Sequence, residues 1–459
     1  MLAFLGYGMI VTFMVLLLTK KMSPFAALIL VPVVFGLAAA FISGTPLLEV
    51  FDWIFGGLYY SLDGNKTLIS KGVAPTITLL LFAILYFSVM LDVGLFDPLA
   101  TKMIKWAKGD PMKICVATGV ISLIVSLDGD GTTTVLIVTT AVLTLFKKMK
   151  MNQLYLAVII GFSNSVMNLV PWSGPMARAM PVLNLTPREF FVPVIPGMIG
   201  ATILALYMCY HYGKKERARL GYTAEGGIIH DSDLEHIIKE INEKDAYLKR
   251  PKLIWFNFIL TAAIMTMLIM DVINGGILFV LGTAIALLVN YRQLNLQSSR
   301  LLANGGEALG PVSLVYGAGI IMGVLNGSGM SEAIAQQMAG MIPETMGAYI
   351  PFFLALISLP GLFFLPNDAF YFGILPVLAP IAYQYGATPT EIGVASLMGQ
   401  AIRFASPLVA FLYVLLVDRT EVSFGDYSKE YMKWGLPSFA IQTIIAILIG
   451  AIPLPFLFN

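Results

Sequence analysis

Apolar runs long enough to cross a lipid bilayer alternate with short polar segments along most of the chain. A transmembrane helix needs about 20 apolar residues. Runs of this order lie at 2–18, 24–43, 73–91 and 189–211 in the first half, and at 253–271, 273–290, 308–326 and 434–456 in the second. The pattern predicts an all-α polytopic membrane protein.

Four other apolar stretches are interrupted near their middle. The stretch at 113–147 is divided by a polar segment from Ser126 to Thr134, which leaves apolar runs of only about a dozen residues on each side. It is either one kinked span or a re-entrant hairpin, and lysines at both ends favour the hairpin. A second hairpin is predicted at 349–385, and broken spans are predicted at 153–184 and 390–417.

The two halves contain these elements in the same order. We interpret residues 1–212 and 253–459 as two inverted repeats of five transmembrane helices, each with a re-entrant hairpin and a broken helix. Residues 213–252 then form a polar cytoplasmic linker, with a short amphipathic helix predicted at 234–246. This layout predicts an elevator-type transporter whose substrate site lies between discontinuous helices near the membrane midplane.

The positions of the basic residues predict the orientation in the membrane. All but five of the 28 Lys and Arg residues fall on one side of this layout, which is therefore assigned to the cytoplasm. The first hairpin then opens from the cytoplasm and the second from outside, and both termini lie outside the cell membrane. The five exceptions are Lys66, Lys71 and Arg188 on the outer side, and Arg178 and Arg403 within the membrane.

Composition excludes several other classes of protein. Hydrophobic residues make up 58% of the chain and charged residues 12%. A water-soluble domain does not need so large an apolar fraction to form its core. The net charge is +1, and no basic run interleaved with aromatic residues suggests a nucleic-acid partner. Cys115 and Cys209 lie in apolar runs and predict no disulfide framework.

Charged and polar residues at bilayer depth are the candidates for binding. An aspartate there costs about 3 kcal/mol, so such residues mark an ion or substrate path. The first hairpin tip contains Asp128, Asp130, Thr132 and Thr133, and the second contains Asn367 and Asp368. The broken spans add further polar residues: Asn164, Asn168, Ser173, Gly174, Arg178, Gln400, Arg403 and Ser406. The competing interpretation is a set of structural ion pairs and interhelical contacts, as for the glycine packing face at Gly319, Gly323 and Gly327.

Three segments of the sequence resemble one known family over nearly the whole chain. The segments "LLLTKKMSPFAALILVPVVFGL", "SLDGDGTTT" and "FLPNDAFYFGILPVLAP" are similar to the CitMHS family, bacterial proton symporters of citrate complexed with a divalent metal. Sodium-coupled dicarboxylate transporters of the same superfamily carry Ser-Asn-Thr at their hairpin tips. Aspartates stand at the tips of this chain, and the resemblance ties them to metal or proton handling.

The resemblance and the chemistry of a metal–citrate complex together predict roles for these residues. Divalent Mg or Ca ions prefer several oxygen ligands, so Asp128, Asp130 and Asp368 are the expected metal ligands and proton carriers. A planar guanidinium can bind a carboxylate through two donors. The predicted citrate-binding residues are Arg178, Arg403, Ser173, Gly174, Thr132, Thr133, Asn164, Asn168, Asn367 and Ser406.

The prediction is therefore a homodimeric secondary transporter, not an enzyme, that takes up metal–citrate with protons and needs no prosthetic group. One alternative is the same fold carrying another or a metal-free di- or tricarboxylate with protons or sodium. A channel fits poorly with hairpins that close from opposite faces. An intramembrane aspartyl protease using Asp130 and Asp368 is a remote alternative, because the Gly-x-Gly-Asp order of such enzymes is missing.

Overall fold

The computed structural model describes residues 1–62, 68–129, 131–222, 243, 245–339, 342–409 and 411–454. The described residues are mainly helical. Two short strands, β1 (Tyr60–Leu62) and β2 (Leu68–Lys71), pair in an antiparallel ladder. Asp130 and most of the predicted linker helix, residues 234–242 and 244, lie outside the described residues.

The first half contains the following helices: α1 (Leu2–Leu18), α2 (Pro24–Ser43), α3 (Glu49–Leu58), α4 (Ala74–Asp92), α5 (Asp97–Ala107), α6 (Pro111–Val125), α7 (Gly131–Lys148), α8 (Gln153–Met167), α9 (Gly174–Leu183) and α10 (Pro187–Arg219). Helices α6 and α7 form the first hairpin, and a short 3₁₀ turn at Ser126–Asp128 extends α6 into its tip. Helices α8 and α9 are separated by a first break at residues 168–173.

The second half contains the following helices: α11 (Ile254–Met270), α12 (Gly275–Asn290), α13 (Leu294–Gly327), α14 (Met330–Ala339), α15 (Glu344–Gly347), α16 (Ile350–Phe364), α17 (Asn367–Ala369), α18 (Leu375–Gln384), α19 (Pro389–Leu397), α20 (Gln400–Arg403), α21 (Phe411–Tyr413) and α22 (Phe424–Leu448). Helices α16 to α18 correspond to the predicted second hairpin, and the non-helical turn with the short helix α17 at residues 365–369 corresponds to its tip. The second break spans residues 398–409 and contains α20.

Six described helical segments are long and apolar enough to span a membrane. They are Pro24–Ser43, Ala74–Asp92, Pro111–Asp128, Pro187–Arg219, Pro251–Met270 and Leu294–Gly327. Shorter apolar helices occur at Leu2–Leu18, Gln153–Met167, Gly275–Asn290 and Ile350–Phe364. The prediction of a helical protein with several helices able to span a membrane is thus confirmed, and the short two-stranded ladder is the one departure from an all-helical fold among the described residues.

Two helix starts, one in each half of the chain, are held by the same local sequence. Thr186 caps α10 and Thr388 caps α19, and each is followed by proline and then by a glutamate at the third helical position. Threonine and glutamate side chains bond each other's backbone N–H groups, while proline suits the first helical turn. The sequence therefore starts these helices at defined residues.

Several helices differ from the sequence prediction. Helices α3, α5 and α14 were not predicted, α13 begins at Leu294 instead of 308, and the last long helix covers Phe424–Leu448 instead of 434–456. The reason is that a search for apolar runs overlooks helices with one polar face. Helix α5, for example, buries Ala100, Ile104 and Ala107 while its lysines are exposed.

The predicted glycine packing face on α13 is occupied by α3. A Cβ atom on Gly57 would overlap the carbonyl oxygen of Gly319, and one on Gly323 would overlap the carbonyl oxygen of Trp53. The two helix backbones therefore touch directly, as small residues allow in membrane proteins. This contact fixes α3 and the adjacent strands against the long helix.

We expect Gly323→Ala to lower the free energy of unfolding by about 2 kcal/mol, because the added methyl group meets backbone that cannot move aside. Gly310→Ala on the same helix is the matched control, since a Cβ there meets nothing within 4 Å. Thermal unfolding of the purified variants measures the difference. Equal melting temperatures for the two variants would contradict this packing.

Candidate functional site

The first hairpin tip rests on the first break. The indole Nε1 of Trp172 donates a hydrogen bond to the carbonyl oxygen of Leu127 at 2.9 Å. Gly129 has a φ of +83°, and a Cβ built on it would lie 3.1 Å from Cδ1 of Trp172 and 3.4 Å from the Cα of Ser173. Glycine suits both the left-handed conformation and the close approach. The tip and the break therefore form one packed unit.

A buried cluster of polar side chains joins the two helices of this hairpin at its tip. The side-chain amide of Asn164 donates to the hydroxyls of Ser126 and Thr134, each at 3.2 Å, and the two hydroxyls are also 3.2 Å apart. All three residues are buried. Asn164 on α8 thus connects the last turn of α6 to the first turn of α7.

The other threonines of the tip point elsewhere. Thr132 is exposed, and Thr133 lines a cavity of about 260 Å³ together with Ser88, Asn304 and Glu307. Asp128 is buried at the end of the 3₁₀ turn. The structure therefore brings Asn164 to the tip but directs Thr132 and Thr133 away from the Asn164 cluster.

The N-terminus of α9 begins at the first break. Ser173 occupies the cap position, is fully buried, and its hydroxyl finds no hydrogen-bond partner among the described residues. The first backbone N–H groups of a helix have no intrahelical partner and carry the positive end of its dipole. Ser173, Gly174 and this helix end together suit a carboxylate ligand.

An ion pair connects α9 to the second hairpin tip. Nε of Arg178 donates to Oδ1 of Asp368 at 2.6 Å, and Nη1 donates to the carbonyl oxygen of Gly174 at 2.9 Å. The side chains of Arg178 and Asp368 are 16% and 14% exposed. Both charges are therefore largely removed from solvent but not sealed off from it.

The second tip is supported by the second break. Nε2 of Gln400 donates to Oδ1 of Asn367 at 3.3 Å and to the hydroxyl of Tyr371 at 3.0 Å. The N–H of Gly399 donates to Oγ of Ser358 at 2.8 Å. Asn367 is thus oriented by a side chain from the break.

Arg403 and Ser406 bond the backbone of the second hairpin. Nη1 of Arg403 donates to the carbonyl oxygens of Leu362 and Leu365 at 2.7 and 2.9 Å, and Nη2 donates to that of Leu408 at 3.4 Å. Ser406 Oγ donates to the carbonyl oxygen of Phe363 at 2.6 Å. The described hydrogen bonds of Arg403 therefore hold the hairpin end and the break together, and its contact with citrate stays a prediction.

The structure adds residues that the sequence analysis left out of the site. Trp172 joins the first tip to its break, Tyr371 bonds Gln400 beside the second tip, and Ser126 and Thr134 form the Asn164 cluster. A lone tryptophan inside an interrupted apolar stretch is the signal that could have identified Trp172. Asn168 is half-buried at the C-terminal cap of α8. In the described parts of the chain, no group of three or more His, Cys, Asp or Glu is arranged to hold a metal ion.

The described chain thus combines several apolar helices of membrane-spanning length with interrupted helices that meet near the partly exposed Arg178–Asp368 ion pair. The solved YdaH transporter of Alcanivorax borkumensis shares this fold with a TM-score of 0.55, at 13% identity, over 91% of this chain and 98% of that chain.

The chain belongs to the CitMHS family of citrate transporters, whose sequence model matches residues 13–399. It is 44% identical to a protein of Bacillus subtilis (strain 168) named "Citrate transporter", over 98% of this chain and all of the relative. A second Bacillus subtilis relative, "Mg(2+)/citrate complex secondary transporter", is 39% identical over 98% of this chain and 99% of its own length. The protein is thus a secondary transporter of the membrane and not an enzyme, which rules out the aspartyl protease alternative.

We expect Arg403→Lys to lower the free energy of unfolding by roughly 2 kcal/mol, because one ammonium group cannot reach the carbonyl oxygens of the hairpin and that of the break at once. Arg188→Lys is the control, since Arg188 makes a single exposed bond of 3.3 Å to the carbonyl oxygen of Met270. Melting temperatures of the substrate-free proteins measure the effect. An unchanged melting temperature in Arg403→Lys would contradict a stabilising role of Arg403 between the hairpin and the break.

Proposed function

We propose that this protein takes up citrate as a complex with a divalent metal ion, coupled to protons, across the cell membrane. The observation that carries the proposal is the ion pair between Arg178 on α9 and Asp368 on the second tip. The pair joins an arginine and an aspartate from different halves of the chain, within the region where both tips meet the breaks.

A metal–citrate complex matches both partners of this ion pair. The metal ion can take Asp368 as a ligand, while a free citrate carboxylate takes the guanidinium of Arg178 through two donors. Citrate itself supplies further oxygen ligands to the metal, so few protein carboxylates are needed. Binding would therefore replace the Arg178–Asp368 ion pair by two new ion pairs, one between Asp368 and the metal ion and one between Arg178 and citrate.

Metal-free citrate fits less well. A bare carboxylate placed against Arg178 would face the negative charge of Asp368. Two like charges about 4 Å apart repel by roughly 4 kcal/mol at an effective dielectric constant of about 20. A difference of that size corresponds to about a thousandfold in affinity, which is enough to favour the complex.

Other residues complete the proposed site. The N-terminus of α9 with Ser173 and Gly174 is proposed to hold a second citrate carboxylate, next to the first tip. Asp128 and Asp130 are proposed to contact the metal or carry the proton. The remaining proposed substrate residues are Arg403, Thr132, Thr133, Asn164, Asn168, Asn367 and Ser406. Of these, Asn164 and Asn367 orient the tips through their hydrogen bonds.

The Bacillus subtilis relative named for the Mg(2+)/citrate complex supports a divalent metal as part of the cargo. For the transport cycle, we propose an elevator movement of the hairpin-bearing part within a homodimer. We also propose two inverted repeats, with both termini outside and the linker in the cytoplasm. The recurring order of elements supports the repeats, as do the matching turns at Gly94 and Gly329, both with a φ of +76°.

Uptake into right-side-out or reconstituted vesicles tests the proposal as a whole. We expect an imposed pH gradient to drive accumulation of labelled citrate against its concentration gradient, and excess chelator to abolish it, because the carrier binds only the complex. Adding back Mg²⁺ or Ca²⁺ in excess of the chelator should restore uptake.

Undiminished uptake in the presence of excess chelator would instead favour a carrier of the metal-free carboxylate. Uptake that follows a sodium gradient and ignores the pH gradient would overturn proton coupling. Equilibration without accumulation under either gradient would indicate a channel.

The Asp368→Asn variant tests the ion pair itself. We expect its half-saturating concentration of metal–citrate to rise at least about tenfold, the equivalent of roughly 1.4 kcal/mol, because the metal loses an anionic ligand. We also expect metal-free citrate to become a better competitor, since the opposing negative charge is gone. Competition uptake with and without chelator measures both effects.

Glu421→Gln is the matched control for that variant. It removes a carboxylate from an exposed ion pair with Lys147, 3.2 Å long, and should leave both constants unchanged. Wild-type metal dependence in Asp368→Asn would contradict the proposed role of the pair. Citrate exchange and pH-driven uptake, measured on Asp128→Asn and Asp130→Asn, locate the proton, because the responsible variant should keep citrate exchange and lose its response to the pH gradient.

A further inference from the structure

Helix α5 lies between a candidate membrane span and the first hairpin and has two different faces. It starts five residues after the end of α4 and has 11 residues, too few to cross a bilayer. Ala100, Ile104 and Ala107 are buried, while Lys102 and Lys105 are exposed and Trp106 is 48% exposed. This pattern is typical of a helix that lies along the membrane surface.

A groove of about 670 Å³ runs between α5 and the segment that leads into α11. Lys102, Lys105 and Thr101 line one side, and Lys249, Pro251 and Ile254 line the other. Helix α4 ends beside this groove, and the candidate span at Pro251–Met270 begins there. The groove therefore lies at the level of the membrane surface.

The wall opposite α5 is held in place by several contacts. The N–H of Arg250 donates to the carbonyl oxygen of Val93 at 3.0 Å, and its Nε donates to that of Asn290 at 2.6 Å. Nζ of Lys249 lies 2.6 Å from Oδ2 of Asp97. The groove therefore has a defined shape, set by contacts to three helices.

The charge of the groove is positive. Among its lining residues, Lys249 is paired with Asp97, whereas Lys102 and Lys105 form no ion pair with any residue that the structure describes. Two exposed ammonium groups one helical turn apart on the rim leave a net attraction for an anion. Unpaired lysines at a membrane surface are the groups that attract anionic headgroups.

Apolar surface continues from the groove into the membrane. Ile254 lines the groove and begins α11, whose first turns expose Trp255 (76%), Phe258 (57%) and Ile259 (64%). A small phosphate ion would use the lysines but not this surface. A phospholipid uses both, because its headgroup meets the lysines while its acyl chains lie along α11.

We propose that the groove between α5 and residues 246–254 binds the headgroup of an anionic phospholipid. Trp106 and Lys113, whose ammonium lies 5.5 Å from the indole centroid, extend the same interfacial surface towards the start of the first hairpin. Occupation of the groove would tie α5 to α11 and hold the connection that leads into Pro111. This inference concerns a site separate from the citrate site and does not depend on the transported substrate.

Native mass spectrometry of the purified full chain tests this site with added phosphatidylglycerol or phosphatidylcholine. We expect wild-type protein to retain phosphatidylglycerol in preference to phosphatidylcholine, and Lys102→Gln/Lys105→Gln to bind it at least about tenfold more weakly because the headgroup loses both cations. Lys20→Gln/Lys21→Gln, which removes two other exposed lysines, should bind like wild type. The melting temperature of each variant without added lipid verifies that it is folded. If the double variant is not folded, Lys105→Gln alone is tested in its place.

Three outcomes would overturn the proposal. The first is equal retention of the two lipids by wild type. The second is an equal loss in both double variants, which would indicate diffuse surface charge. The third is retention of glycerol 1-phosphate, added at the same concentration, that equals the retention of phosphatidylglycerol, since that would define a site for small anions instead of a lipid.

Discussion

The structure depends on one constraint: backbone groups that are freed where helices break need partners in a region without free access to water. An unsatisfied polar group in an apolar environment costs several kcal/mol. Side chains from the breaks supply these partners. Trp172 bonds the carbonyl oxygen of Leu127, Arg403 bonds those of Leu362 and Leu365, and Ser406 bonds that of Phe363. Each hairpin tip is therefore anchored to the break of its own half.

This anchoring explains why the Arg178–Asp368 pair stands apart. Within each half, a tip and its break are joined mainly by bonds to backbone atoms, which cannot be exchanged without unfolding the tip, and the bond between Gln400 and Asn367 adds a neutral side-chain contact. The contact between Arg178 and Asp368 joins two side chains across the halves, and both remain partly exposed. It is thus the contact that an incoming charged complex can replace while the rest of the site keeps its shape.

Much of the fold and part of the site could be predicted from the sequence. The hairpin at 113–147 and the break before Ser173 follow from charges, glycines and prolines inside apolar runs, and the structure has helix ends at both places. The family followed from the segments around Asp128 and Asp368 and is confirmed. Helices α3 and α14 were overlooked because they have only 10 residues each, and α5 because lysines interrupt its apolar pattern, so the search for long apolar runs does not detect them.

The sequence by itself determined the long apolar runs, the breaks inside them and the capped helix starts at Thr186 and Thr388, because run length, capping residues and helix breakers act over a few neighbouring residues. Only the tertiary structure decided which polar residues meet. Successive residues of a helix point about 100° apart, so Thr132, Thr133 and Thr134 face solvent, a cavity and Asn164 respectively. Likewise, Arg178 and Asp368 are 190 residues apart in the chain. Their pairing depends on how the two halves pack, which no local pattern encodes.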